Sequence, residues 1–158
     1  MITYQVEHLR DIQEEVWPLL EAHLEELPMH TNANVYIDWD AYFSMCDTGS
    51  YSFITARDID FGDKLVGYVG YVIRDSIVYE DITTAKMDCV FIDYDYRGNG
   101  IATGMIQFAE DVLSNLGVSV VDMSMHSSAQ FAGLASTLGY EEKHITYLKD
   151  LRGNQNGL

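Results

Sequence analysis

Residues Tyr96-Arg97-Gly98-Asn99-Gly100-Ile101-Ala102 join a strand-like run, Val90-Phe91-Ile92, to a helical repeat of Ile101, Met105, Phe108, Val112 and Leu116. A chain with this junction must turn sharply from a strand into the N-terminus of an amphipathic helix whose apolar face needs a core. The two glycines permit the turn and a close approach of backbone to a ligand, while the first N–H groups of the helix have no partner within it. Such a terminus receives an anion well, and Arg97 adds a fixed positive charge; a plain strand-to-helix turn is the alternative reading. The run lacks the Gly-Lys-Ser/Thr ending of a nucleotide-binding loop, and the dinucleotide fingerprint needs three glycines in another spacing.

At 158 residues, 47% of them apolar or aromatic, the chain is long enough to bury one sizeable core. Residues 1–150 are expected to form a single domain, followed at 151–158 by a frayed polar tail. No apolar run reaches the roughly 18 residues of a membrane span and no signal peptide is apparent, so a cytoplasmic location is expected. Cys46 and Cys89 show no metal-ligand spacing and the five histidines form no ligand cluster, so no metal is expected. The net charge of −16 disfavours nucleic acid and anionic membranes as partners and favours cations, although acidic balance also serves solubility.

Periodicity predicts a strand over Ile2–Glu7 and a helix from about Asp11 to Leu27, ended by Pro28, with Pro18 marking a kink or a later start near Trp17. A short helix at Asp38–Met45 and two hairpin strands, Tyr51–Ala56 and Leu65–Ile73, follow. Then come the strand Met87–Ile92, the Gly-rich turn and the helix Ile101–Leu116, stopped by Gly117. A strand at Val118–Met125, a helix at Ala129–Leu138 and a last strand at Lys143–Leu148 complete the prediction.

The pattern Arg-x-x-Gly-x-Ala, Arg97 to Ala102, preceded by Asp88-Cys89-Val90-Phe91-Ile92-Asp93-Tyr94-Asp95-Tyr96, resembles the acetyl-CoA signature of the GNAT superfamily of N-acetyltransferases. The order of elements from about Tyr4 to Leu148 resembles that family too, and Trp17 to Glu26 looks like the first helix of its small bacteriophage-type members. The resemblance implies an α+β acyl-CoA N-acyltransferase fold, a mixed, mostly antiparallel sheet flanked by helices. It implies acetyl-CoA as cofactor, its pyrophosphate on the backbone of Arg97, Gly98, Asn99, Gly100, Ile101 and Ala102 and its pantetheine arm along Val90, Phe91 and Ile92. The acceptor would be a primary amine, either a cationic small molecule or the lysine or N-terminal amine of a protein, acetylated directly in a ternary complex. Dimers are common among relatives, so a homodimer is a further expectation.

Relatives often carry an acidic general base where this chain has Asp88. Strand alternation puts Asp88 on one face with Val90 and Ile92, opposite Cys89 and Phe91, so Asp88 points to a cleft or to the core. Where relatives place a tyrosine as general acid, this chain has Ala135; Ser128 and Phe131 also depart from the family pattern. His126 is the first substitute as catalytic acid, with Ser128, Tyr140, Tyr147 or solvent behind it. His23 and Glu26, three apart on the first helix, are candidate contacts for the amine, and Trp39, Tyr42 and Phe43 are either acceptor-pocket walls or core. The departure at Ala135 keeps a second function open, a weak or inactive CoA-binding module that acts through its acidic surface.

Overall fold

The computed structural model describes residues 1–27, 34–125 and 132–152. Its elements run β1 (Ile2–Val6), α1 (Leu9–Glu26), α2 (Trp39–Thr48), β2 (Tyr51–Asp58), β3 (Lys64–Asp75), β4 (Thr83–Ile92), α3 (Ile101–Asn115), β5 (Val120–Asp122) and α4 (Ala132–Thr137). The sheet has the order β1-β2-β3-β4-β5, antiparallel except for the parallel pair β4 and β5. This is the expected mixed, mostly antiparallel sheet, with helices on both faces.

One face packs Leu9, Ile12 and Val16 of α1 against Tyr51, Phe53, Tyr68 and Phe91. The other packs Met105, Ile106, Ala109 and Leu113 of α3 against Ile54, Val66, Val69 and Met87. The buried stripe of α3 is rotated from the expected one: Ile106, Ala109 and Leu113 are its centre, whereas Leu116 lies past the last turn and is exposed. Arg57 ties α1 to the sheet from β2. Its guanidinium donates to both carboxylate oxygens of Glu15 at 2.7 Å and to those of Glu7 at 2.9 and 3.1 Å.

Four expectations change. Helix α1 begins at Leu9, where the His8 ring accepts the Arg10 N–H, and continues past Pro18. Pro18 is exposed, so the Glu14 carbonyl that its missing N–H leaves unpaired can be hydrated. Leu27 is extended, as a residue before proline prefers; Pro28 itself is outside the described residues. Strand β5 is three residues long instead of eight, and 140–150, with the expected strand Lys143–Leu148, have no regular structure. Of the polar tail, 153–158 lie outside the described residues. No described helix is long and apolar enough to cross a membrane.

Candidate active site

The site is built on an irregularity in β4. Cys89 pairs with Gly70 and Met87 with Tyr71, so Asp88 is an extra residue bulged out of the ladder. A bulge resets alternation. Ala85 and Met87 face α3, and after the bulge so do Val90 and Ile92, while Cys89 and Phe91 face α1. Asp88 therefore does not share a face with Val90 and Ile92 as simple alternation predicts. It turns toward α2 and the start of β2, where the hydroxyls of Tyr42 and Tyr51 donate to its Oδ2 at 3.0 and 2.8 Å. Its Oδ1 accepts from none of the described residues.

Gly70 makes room for this arrangement. A Cβ there would lie 2.1 Å from the Tyr51 hydroxyl and 3.0 Å from Cys89 Sγ. Burial first, then the nearby Cys89 and Asp88, push the Tyr51 phenol far above its usual range, and burial followed by Asp88 does the same to Tyr42. Both phenols stay protonated and act as donors to the carboxylate. The Cys89 thiol is pushed up to about 12 by burial and by Asp88, so it is a protonated thiol unsuited to act as a nucleophile. It lies 3.7 Å from the Tyr51 hydroxyl, on the Asp88 side of the strand and not opposite it.

At the far end of β4 the chain passes through a 3-10 turn, Tyr94–Tyr96, into the Gly-rich junction. Gly98 and Gly100 have φ of +79° and +74°, conformations that a side chain disfavours. Arg97 N–H donates to the Tyr94 carbonyl, but from Gly98 to Thr103 no backbone N–H donates to a described residue, and no side chain caps α3. A row of unpaired donors thus surrounds a helix N-terminus, chemistry suited to a phosphate. Between Asp88 and this turn the outer edge of β4 pairs with none of the described strands. Pairing with β5 covers only Thr84–Lys86, and beyond it a cleft separates Val90 and Ile92 from Ser124 and Met125.

The Arg97 side chain is not aimed at that anion site. Its Nη2 donates to both carboxylate oxygens of Glu26 at 2.8 Å, its Nε donates to the Ile92 carbonyl at 2.9 Å, and its guanidinium lies over the Phe91 and Tyr94 rings. Glu26, expected to meet an amine, is thereby occupied. His23 is half-buried in the same wall, stacked on Phe91 at 5.0 Å and 2.8 Å from the Tyr68 hydroxyl through Nδ1. Burial lowers its pKa, with smaller opposed effects of Glu26 and Arg97, so it is neutral at neutral pH.

Most of these residues open onto one cleft of about 900 Å³. Its lining includes Asp88, Val90, Phe91, Ile92, Arg97, Gly98, Gly100, Ile101 and Ala102, together with His23 and Glu26. Asn99 stays at the rim, its amide directed at the Tyr96 and Arg97 carbonyls. Trp39 and Tyr42 wall the cleft, whereas Phe43 lies under the Arg10 guanidinium. His126, Ser128 and Phe131 are outside the described residues. Tyr140 donates to Glu110 Oε1 at 2.6 Å and Tyr147 is exposed, so neither reaches the cleft. Tyr51, Phe53 and Tyr68 are lining residues that periodicity did not reveal; Gly67 and Gly70 inside one strand were the signal of close packing there.

Residues 7–139 match the sequence pattern of the Acetyltransferase (GNAT) family. The chain belongs to this family. Solved GNAT-fold structures agree with it across almost its whole length. A ribosomal-protein-alanine N-acetyltransferase from Brucella melitensis biovar Abortus 2308 superposes with a TM-score of 0.74 at 19% identity, over 95% of this chain and 99% of that one. An aminoglycoside acetyltransferase from an uncultured soil metagenomic sample gives 0.73 at 14% identity, over 95% and 96%. Glucosamine-6-phosphate N-acetyltransferase from Arabidopsis thaliana gives 0.72 at 13%, over 96% and 99%. At such identities the likeness concerns the fold. No curated protein sequence matches the chain.

Proposed function

We propose that the protein is an acetyl-CoA-dependent N-acetyltransferase that transfers acetyl directly to a primary amine. The observation that carries this is the single cleft joining the unpaired N–H groups of Gly98–Thr103 to the bulged Asp88 along a free strand edge. The donors fit a pyrophosphate, and the open edge at Val90–Ile92 fits an extended amide-bearing arm, which a strand edge can hydrogen-bond. Bound acetyl-CoA supplies a thioester: the amine nitrogen bonds to its carbonyl carbon, the C–S bond breaks, and an ammonium plus acetyl-CoA yield the amide, CoA thiol and one proton.

Asp88 is the group that orients the amine and takes its proton, directly or through water. Tyr42 and Tyr51 hold its Oδ2, while Oδ1 accepts from none of the described residues, and the residue lines the cleft. Backbone N–H groups of the β4 edge polarise the thioester carbonyl. Of the candidate acids named from the sequence, Tyr140 and Tyr147 lie away from the cleft, so in this reading His126, Ser128 or solvent supplies the proton to the leaving thiolate.

The test measures thiol release from acetyl-CoA with and without amine, for the native protein, Asp88→Asn and Gly100→Val. Amine-dependent release should fall about 100-fold or more in Asp88→Asn, the range of general base catalysis, with acetyl-CoA affinity retained. Gly100→Val should lose that affinity, since φ of +74° is forbidding to a β-branched residue. Tight CoA binding without turnover on any amine would favour the alternative of a non-catalytic CoA-binding module.

A further inference from the structure

The overall charge of −16 draws polycations, but the cleft selects on its own terms. Its α1–α2 side is walled by Trp39, Tyr42, Tyr51, Phe53, Tyr68 and Phe91. Among the described residues three side chains of the lining carry formal charge: Glu26, Asp88 and Arg97. Glu26 and Arg97 cancel each other in their ion pair, and His23 is neutral beside Tyr68. Among the described residues one carboxylate, Asp88, has no cationic partner; two phenols hold its Oδ2, and its Oδ1 accepts from none of those residues.

We propose, on the acetyl-transfer reading above, that the acceptor is a monoamine: one ammonium on an apolar, preferably aromatic body. The ammonium pairs with Asp88 Oδ1, and its body lies against the aromatic walls, whose faces favour both apolar surface and a cation's adjacent CH₂ groups. A second ammonium farther along the molecule meets, among the described residues, only the Glu26 carboxylate, which Arg97 already pairs. It would have to leave water for an aromatic and aliphatic wall formed with Leu20 and Leu24, which no compensating charge offsets. Aminoglycosides, polyamines and lysine-rich peptides are therefore excluded as preferred acceptors, although long-range attraction brings them to the surface.

Four amines decide the matter on the unmodified protein: n-hexylamine, 1,5-diaminopentane, 2-phenylethylamine and spermidine. The first two match in length and differ by a terminal methyl against an ammonium. The kcat/KM for n-hexylamine should exceed that for 1,5-diaminopentane by about 30-fold or more, with 2-phenylethylamine higher still and spermidine lowest. Equal values, or a preference for the diamine, overturn the proposal. Binding is followed in parallel by tryptophan fluorescence in the presence of CoA. Monoamine binding that is tighter than diamine binding, lost in Asp88→Asn and unaccompanied by turnover, keeps the ligand class and removes the acetyl-transfer reading. Absence of both binding and turnover with the monoamines overturns both. Leu24→Glu, which adds a second carboxylate to the wall, should narrow the hexylamine-to-diamine ratio about tenfold; an unchanged ratio in the folded variant also counts against the charge argument.

Discussion

Arg57→Met removes the cation that joins α1 to the sheet while keeping a side chain of similar reach. Arg57 is 6% exposed and Glu7 16%, so the variant leaves a largely buried carboxylate facing Glu15 without a counter-charge. Breaking a buried pair this way costs about 3–5 kcal/mol. Glu15 is 44% exposed and water screens its share, so the lower end of about 3 kcal/mol applies. For a chain of this size that is a fall in Tm of about 6–12 °C. The dependence on pH carries the sharper test. Burial raises the Glu7 pKa, but the hydrogen bonds from Arg57 and Thr55 outweigh it, so in the folded protein it lies below its usual 4.5. A depressed carboxylate contributes stability that is complete above the unfolded pKa and lost as pH falls through the folded one. In Arg57→Met the burial effect is opposed only by Thr55 and Gln5, so the Glu7 pKa rises from its depressed value and protonation relieves the penalty as pH falls. The stability gap between the two proteins should therefore narrow as pH falls from about 6 to about 4, read by urea unfolding followed by circular dichroism. A gap that is constant across that range, or a Tm change under about 2 °C at neutral pH, refutes the reasoning.

Gly70→Ala should force the Tyr51 hydroxyl off Asp88, destabilise the fold by about 1–3 kcal/mol and reduce turnover. Combined with Tyr51→Phe, which removes the clashing oxygen, it should cost less stability than the sum of the two changes, measured as a double-mutant cycle. Glu26→Gln should release Arg97 toward the anion site. Acetyl-CoA affinity by calorimetry then rises and becomes more salt-dependent, while Tm moves little because the lost ion pair is solvent-exposed.

The turn between β4 and α3 was legible from residues adjacent in the chain. Two glycines at positive φ and the first turn of a helix leave donors unpaired wherever they occur, because that outcome depends on local backbone geometry alone. The order of the elements was legible for a similar reason, as apolar spacing reports which face of each segment needs cover. The last strand was not. Alternation at Lys143–Leu148 suits a strand, but a strand exists only where a free edge lies within reach, and no local pattern supplies one.

Side-chain roles in the cleft depended on contacts between distant segments. Asp88 moved to the other face of its strand because pairing with β3 skips one residue beside Gly70, and register belongs to two strands, not to one. Arg97 and Glu26, 71 residues apart, found each other only when α1 settled against β4. The chain's own pattern thus specified a backbone able to hold an anionic cofactor. Folding assigned the charges around it, pairing two and leaving Asp88 as the one carboxylate open to the cleft, since charge pairing depends on distances that only the packed chain sets.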